Sequence, residues 1–137
     1  MADTFLLTIL TPYGHYFEGR VEFLEVLSEK YSLGILPKHA PLISTLVVSK
    51  MVIRMNGGKT YNYAIGGGAI NISEEKVILI LDSIEREDEI DINRAKDAMK
   101  RAEDRLANKL EKGSIDYDRA KLAYIRALNR IRIATKD

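Results

Sequence analysis

Cysteine is absent from the 137-residue sequence, and histidine occurs only as His15 and His39. The first absence removes disulfide scaffolds, thiolate zinc sites and cysteine nucleophiles together. Two histidines cannot by themselves build a metal site, so no metal is expected. No apolar run approaches the ~18–20 residues that a bilayer span requires. The Met1-Ala2-Asp3-Thr4 start lacks the basic-then-apolar layout of a signal peptide, and the chain is expected to stay in the cytosol without inserting into a membrane. Gly-x-Ser-x-Gly and His-Glu-x-x-His are both missing. Gly66-Gly67-Gly68 is not followed by Lys-Ser/Thr, so it reads as a turn or a close-packed strand entry rather than a phosphate loop. No catalytic constellation supports an enzyme.

What is present is an ordinary globular composition, 46% hydrophobic and 30% charged. The length suits one full core, or a small domain with an appendage. The net charge of +1 conceals an asymmetry: residues 1–90 hold 8 basic and 12 acidic side chains, or −4, and residues 91–137 hold 13 and 8, or +5. A basic tail of this size invites an anionic partner, whether nucleic acid, a lipid surface, a nucleotide or an acidic protein patch. The Asp97, Glu103, Asp104 and Glu111 carboxylates interleaved with its cations, and the lack of evident stacking aromatics, weigh against a nucleic-acid-binding module, which stands as the alternative reading.

Two hydrophobic periods divide the chain. Segments 5–10, 21–27, 43–48, 51–55, 60–65, 69–72 and 77–81 are rich in β-branched or aromatic residues and are separated by turn signals such as Thr11-Pro12-Tyr13-Gly14 and Asn56-Gly57-Gly58-Lys59. Their close spacing fits antiparallel hairpins in a sandwich or barrel. Alternation places Val21, Phe23 and Glu25 on one side of their strand. From Asp91 the period becomes helical, with Ala95, Ala98, Met99, Ala102, Leu106 and Leu110 on one stripe. Gly113-Ser114 breaks the run, and Asp116 is expected to cap a second helix with the stripe Tyr117, Ala120, Tyr124, Ala127, Leu128 and Ile131. The fold class is α+β: an N-terminal antiparallel β-sandwich over 1–85, then a C-terminal antiparallel α-helical hairpin over 86–137, with helices at about 91–111 and 116–133.

The stretch Leu33-Gly34-Ile35-Leu36-Pro37-Lys38-His39-Ala40-Pro41-Leu42 strongly resembles the Gly-Ile-Leu-Pro-Gly-His-Ala-Pro-Leu signature of ATP synthase epsilon subunits. Thr11-Pro12, the Gly67-Gly68 pair before Asn71-Ile72, and Asp91 to Ala95 fall where that bacterial F-type family has them. Lys38 departs from the usual glycine, and Lys30-Tyr31-Ser32 from a Gly-Glu pair. The resemblance implies a non-catalytic central-stalk rotor subunit on the cytoplasmic side of the membrane, its sandwich bound to the gamma shaft and seated on the membrane c-ring. Ser28, Glu29, Lys30, Tyr31, Ser32, Lys38 and His39 are the candidate ring contacts. It also implies a hairpin that either folds down or extends toward the beta and alpha subunits and restrains ATP hydrolysis, with Arg119, Lys121 and Arg132 as inhibitory cations.

No cofactor is implied, but ATP is expected as a regulatory ligand. Ile90-Asp91-Ile92-Asn93-Arg94-Ala95 matches the Ile/Leu-Asp-x-x-Arg-Ala motif of nucleotide-binding epsilon subunits, and Arg126 and Arg130 match their arginine pair on the second helix. Glu85 and Asp91 are then candidates to accept from the adenine amine or ribose, with Arg94 closing on the phosphates. The plainer reading of the same residues is a capped helix with solvated arginines.

Overall fold

The computed structural model describes residues 3–108 and 113–136. Two compact units divide at Arg86. In the first, seven strands run in chain order: β1 Phe5–Thr11, β2 Gly14–Leu27, β3 Ser32–Ile35, β4 Leu42–Met55, β5 Thr60–Ile72, β6 Lys76–Leu81 and β7 Ile84–Arg86. They hydrogen-bond in the order β1-β6-β5-β4-β2-β3, β7 adds to β5, and β1 also pairs with β2, which closes the sheet on itself. Closure of this kind removes most of the exposed edge that an open sheet presents. One pairing departs from the antiparallel expectation: β1 and β6 run parallel, Leu7 opposite Val77 and Ile9 opposite Leu79.

The core is aliphatic. Leu7, Ile9, Val21, Leu24, Ile35, Met51, Ile53, Leu79 and Leu81 are fully buried. The expectation that Val21, Phe23 and Glu25 share one side of β2 is corrected at Glu25. The register with β4 shifts between Val21 and Phe23, and after that irregularity Leu24 and Val26 are buried while Glu25 is exposed. One extra residue in a pleated strand exchanges its two faces.

Gly66-Gly67-Gly68 is neither a turn nor a strand entry; it lies inside β5. Here β5 changes partners, from β7 at Tyr63–Ile65 to β6 at Gly68–Ile72. Gly66 N donates to Ser83 O at 3.0 Å, and Asp82 N donates to Gly67 O at 2.9 Å, so the backbone groups stay paired through the change. Gly67 and Gly68 have φ of 93° and 151°, values that glycine adopts without a Cβ penalty.

Among the described residues of this unit, Lys38 in the β3–β4 connection is the one non-glycine residue with a positive φ. Pro37 is followed by Lys38 at φ 65°, the order of a type II turn, whose third residue is ordinarily glycine. A side chain in the left-handed region costs ~1–2 kcal/mol, and glycine there loses ~0.5–1 kcal/mol in chain entropy. Lys38→Gly is therefore expected to stabilise the protein by about 0.5–1 kcal/mol. A urea titration showing a higher midpoint at unchanged slope checks this; a lower midpoint would mean that the Lys38 side chain contributes more than its backbone costs.

The second unit holds a short 3₁₀ turn at Glu87–Glu89, α1 at Ile92–Ala107 and α2 at Ile115–Thr135. Asp91 caps α1, its Oδ1 accepting from Arg94 N at 3.0 Å. Ser114, not Asp116, caps α2: its Oγ accepts from Tyr117 N at 3.1 Å, and Asp116 lies in the first turn. A serine hydroxyl and an aspartate both satisfy a free helical N–H, and the chain entering through Gly113 at φ 84° brings Ser114 to that place first. Residues 109–112, where the end of the expected first helix falls with Leu110 and Glu111, lie outside the described residues. Ala95, Ala102, Ala120 and Ala127 are buried. Ala95 and Ala127 stand equally far from the interhelical turn, as do Ala102 and Ala120, so antiparallel packing brings each pair to one level. Small side chains there permit close approach of the two axes but contribute little buried area.

Candidate functional site

Ala95 and Ala127 fix the geometry of the nucleotide candidates, because they mark the direction from each helix to the other. Arg94 and Arg126 each stand one residue before such an alanine, and a step of one residue turns a helix by about 100°. In two antiparallel right-handed helices that step leads to the same flank of the hairpin. Arg130, four residues beyond Arg126, returns to the flank of Arg126, and Asp91 sits near it at the start of α1. The four side chains thus share one flank at the end of the hairpin away from its turn. Arg126 and Arg130 are half-buried, while Asp91 and Arg94 are exposed.

The remaining motif residues have structural positions of their own. Ala95 is fully buried. Ile90 is half-buried, and its N–H donates to Glu87 O at 3.4 Å. The acidic Glu87–Glu89 turn lies against α2. Glu85 belongs to the first unit, on β7 opposite Ala64 and half-buried.

The inhibitory candidates Arg119, Lys121 and Arg132 are exposed on α2. They do not form one face. Lys121 and Arg132 are eleven residues apart, about three helical turns, and share a flank, whereas Arg119 lies on the other side of Ala120.

Among the ring-contact candidates, Ser28 is 6% exposed. Its Oγ donates to Tyr31 O at 2.8 Å and accepts from Tyr31 N at 3.1 Å and Lys30 N at 3.3 Å, so the hydroxyl is committed to the β2–β3 turn. Serine is a turn former for this reason. Glu29, Lys30, Tyr31 and Ser32 are exposed around it, with Tyr31 at 51%. Lys38 is exposed, and His39 is half-buried with Nδ1 donating to Ala40 O at 2.7 Å. Composition could not have exposed a feature beside this loop, the apolar side chains Leu36 and Ile43, which are 54% and 75% exposed. They stand near the ends of β3 and β4, where strand alternation points them away from the core.

Among the described residues, no group of three or more His, Cys, Asp or Glu side chains could hold a metal ion, and no helix is long and apolar enough to cross a membrane.

A beta-sandwich domain followed by a helical domain is the build of the ATP synthase Delta/Epsilon chains, and both halves of this chain match them. Residues 4–87 match the beta-sandwich domain of the ATP synthase Delta/Epsilon chain, and residues 88–135 match its long alpha-helix domain. An ATP synthase epsilon chain of Desulforamulus reducens is 40% identical over 135 residues, covering 98% of this chain and 99% of that one. An epsilon chain of Bacillus cytotoxicus is 39% identical over 131 residues, 96% of each. The chain belongs to the ATP synthase epsilon chain family. Its fold also resembles a chain in the OSCP/F1/c-ring structure of Euglena gracilis mitochondrial ATP synthase, with a TM-score of 0.76 at 16% identity, covering 92% of this chain and 78% of that one.

Proposed function

We propose that this chain is the non-catalytic epsilon subunit of the central stalk of an F-type ATP synthase, on the cytoplasmic side of the membrane. Its sandwich binds the gamma shaft and sits on the c-ring, transmitting rotation without chemistry of its own. Its hairpin regulates hydrolysis. The observation that carries this reading is the match of both units, in order, to the two domains of the epsilon chain family. A nucleic-acid-binding module does not account for that order, although it shares the basic second unit.

The test is copurification. Tagged full-length chain is expected to bring down the alpha, beta and gamma subunits in a complex with ATPase activity, while the purified chain alone turns over no ATP. Binding of gamma by a variant lacking residues 87–137 would place that contact in the sandwich. Failure of that folded variant to bind gamma, with binding retained by the hairpin, would reverse the proposed division of labour.

Inhibition is proposed to come from the extended hairpin, through cations of α2 meeting acidic segments of the beta and alpha subunits. Residues 117–137 hold six basic and two acidic side chains. Exposed ion pairs contribute roughly 0.2–1 kcal/mol each, so Arg119→Ala, Lys121→Ala and Arg132→Ala together are expected to raise hydrolysis by the assembled enzyme about tenfold. Lys121→Ala with Arg132→Ala should account for most of the effect, because those two share a flank. Unchanged hydrolysis with the subunit still bound would remove the electrostatic contribution.

The ATP-binding role rests on Asp91, Arg94, Arg126 and Arg130 sharing one flank of the hairpin, with Ile90 and Ala95 completing the motif. Held only by the folded-down hairpin, ATP would stabilise that state and oppose extension.

A further inference from the structure

We propose that Asn56 is a site of spontaneous deamidation and that Glu22 guards it. Asn56 is the only asparagine in the sequence followed by glycine. That neighbour is the least hindered nucleophile a peptide backbone offers, because glycine carries no side chain to obstruct approach of its nitrogen. Both residues are exposed at the β4–β5 turn. Gly58 N donates to Met55 O at 2.9 Å across Asn56 and Gly57, and Gly57 has φ 105°. A Cβ built on Gly57 meets nothing within 4 Å, so the side of Gly57 where that Cβ would lie is open.

The reaction needs only water. Gly57 N bonds to Asn56 Cγ and gives its proton to a base in solvent, and the side-chain amide takes a proton and leaves as ammonia. One water then opens the five-membered imide at either carbonyl, producing aspartate or isoaspartate. The first step requires that Gly57 N–H be released and that its peptide plane turn toward the Asn56 side chain.

Glu22 opposes both requirements. Its Oε2 accepts from Gly57 N at 3.1 Å, which holds the peptide plane and occupies its hydrogen. Its other oxygen, Oε1, lies 3.3 Å from Arg54 Nε, and the Glu22 side chain is only 12% exposed. Arg54 is itself placed by its stacking over the Phe23 ring, 5.3 Å from the centroid. The carboxylate is thus anchored on one side and spends its free oxygen on the one backbone hydrogen that the reaction must remove. A hydrogen bond to a charged group is among the stronger kinds in a protein. Conversion to isoaspartate would lengthen the main chain in the turn and place a new carboxylate close to Glu22, so the guard also protects the β4–β5 register.

The experiment incubates the full chain at neutral pH and follows the Asn56 peptide by mass and elution, with the same chain unfolded in urea as reference. The wild type is expected to deamidate slower than the unfolded chain, and folded Glu22→Ala about tenfold faster than the wild type. Glu22→Gln retains an acceptor for Gly57 N–H and should stay near the wild-type rate. Should Glu22→Ala fail to fold, Arg54→Ala, which releases the anchor and leaves the acceptor, is expected to give an intermediate acceleration. Equal rates in wild type and folded Glu22→Ala, a Glu22→Gln rate as high as that of Glu22→Ala, an unaccelerated Arg54→Ala, or a wild type as fast as the unfolded chain would overturn the proposal.

Discussion

Gly68→Ala is expected to prevent the sandwich from folding, with loss of a cooperative thermal transition. A Cβ built on Gly68 lies 2.0 Å from Ile80 O and 2.9 Å from Leu81 Cα. Both are backbone atoms of β6, and neither can move away as a flexible side chain would. Gly68 pairs with Leu81 in the ladder, so retreat of β6 would open the pairing that follows from Ala69 to Ile72 and expose Leu79 and Leu81. Burial of each such leucine is worth about 1.5–3 kcal/mol, and losses above ~4 kcal/mol exceed what a typical domain tolerates from one substitution. The φ of 151° adds strain for any side chain. Gly57→Ala and Gly58→Ala serve as controls: both glycines have positive φ but no atom within 4 Å of the built Cβ, and each variant should lose only ~1–2 kcal/mol. A Gly68→Ala protein with a wild-type melting temperature would show that β6 yields without cost.

Where the periods were long and the punctuation strong, the sequence was readable. The alternation of the strands and the three-and-four spacing of Ala95, Ala98, Met99 and Ala102, and of Tyr117, Ala120, Tyr124 and Ala127, follow from which face must be buried, and they marked both units. The unread features depend on partners distant in the chain. Gly66-Gly67-Gly68 resembles a turn locally, and only β6 and β7 arriving on the same edge of β5 make it a strand interior. The Val21/Phe23 irregularity arises where β2 meets β4, and it puts Val21 and Glu25 on opposite faces. β3 is four residues long with a glycine inside it, too short to show a period. At the candidate site the motif supplied residue identities, while the common flank of Arg94, Arg126 and Arg130 required knowing which alanines face the opposing helix.

Calorimetry on the full chain is expected to show ATP binding that Arg126→Ala or Arg130→Ala weakens by about 10–100-fold, since a hydrogen bond to a charged group is worth ~1.5–3 kcal/mol. The two guanidinium groups are four residues apart on α2 and half-buried, so part of their ordering cost is met before any ligand arrives. Two planar donor forks on one flank suit a triphosphate better than a single carboxylate. Arg94 is exposed on the same flank, and Arg94→Ala should weaken binding by a smaller factor because a solvated side chain must first be ordered. Asp91 separates the two readings of the motif. Its Oδ1 already accepts from Arg94 N, and Oδ2 is the atom proposed to accept from the adenine amine or ribose. Asp91→Asn keeps a capping oxygen but replaces an acceptor with an amide. A loss of ATP affinity at wild-type helicity in this variant would therefore report ligand contact, whereas a loss of helicity at wild-type affinity would confine Asp91 to its cap. Bound only to the folded-down hairpin, ATP at 100 times its Kd would stabilise that state by about 2.7 kcal/mol, roughly a hundredfold shift against extension. Hydrolysis by assembled enzyme carrying Arg126→Ala should then be more strongly restrained at ATP concentrations that release the wild type. Absence of heat at millimolar ATP, or an affinity unaltered by Arg126→Ala and Arg130→Ala together, would leave the arginines with a structural role on α2.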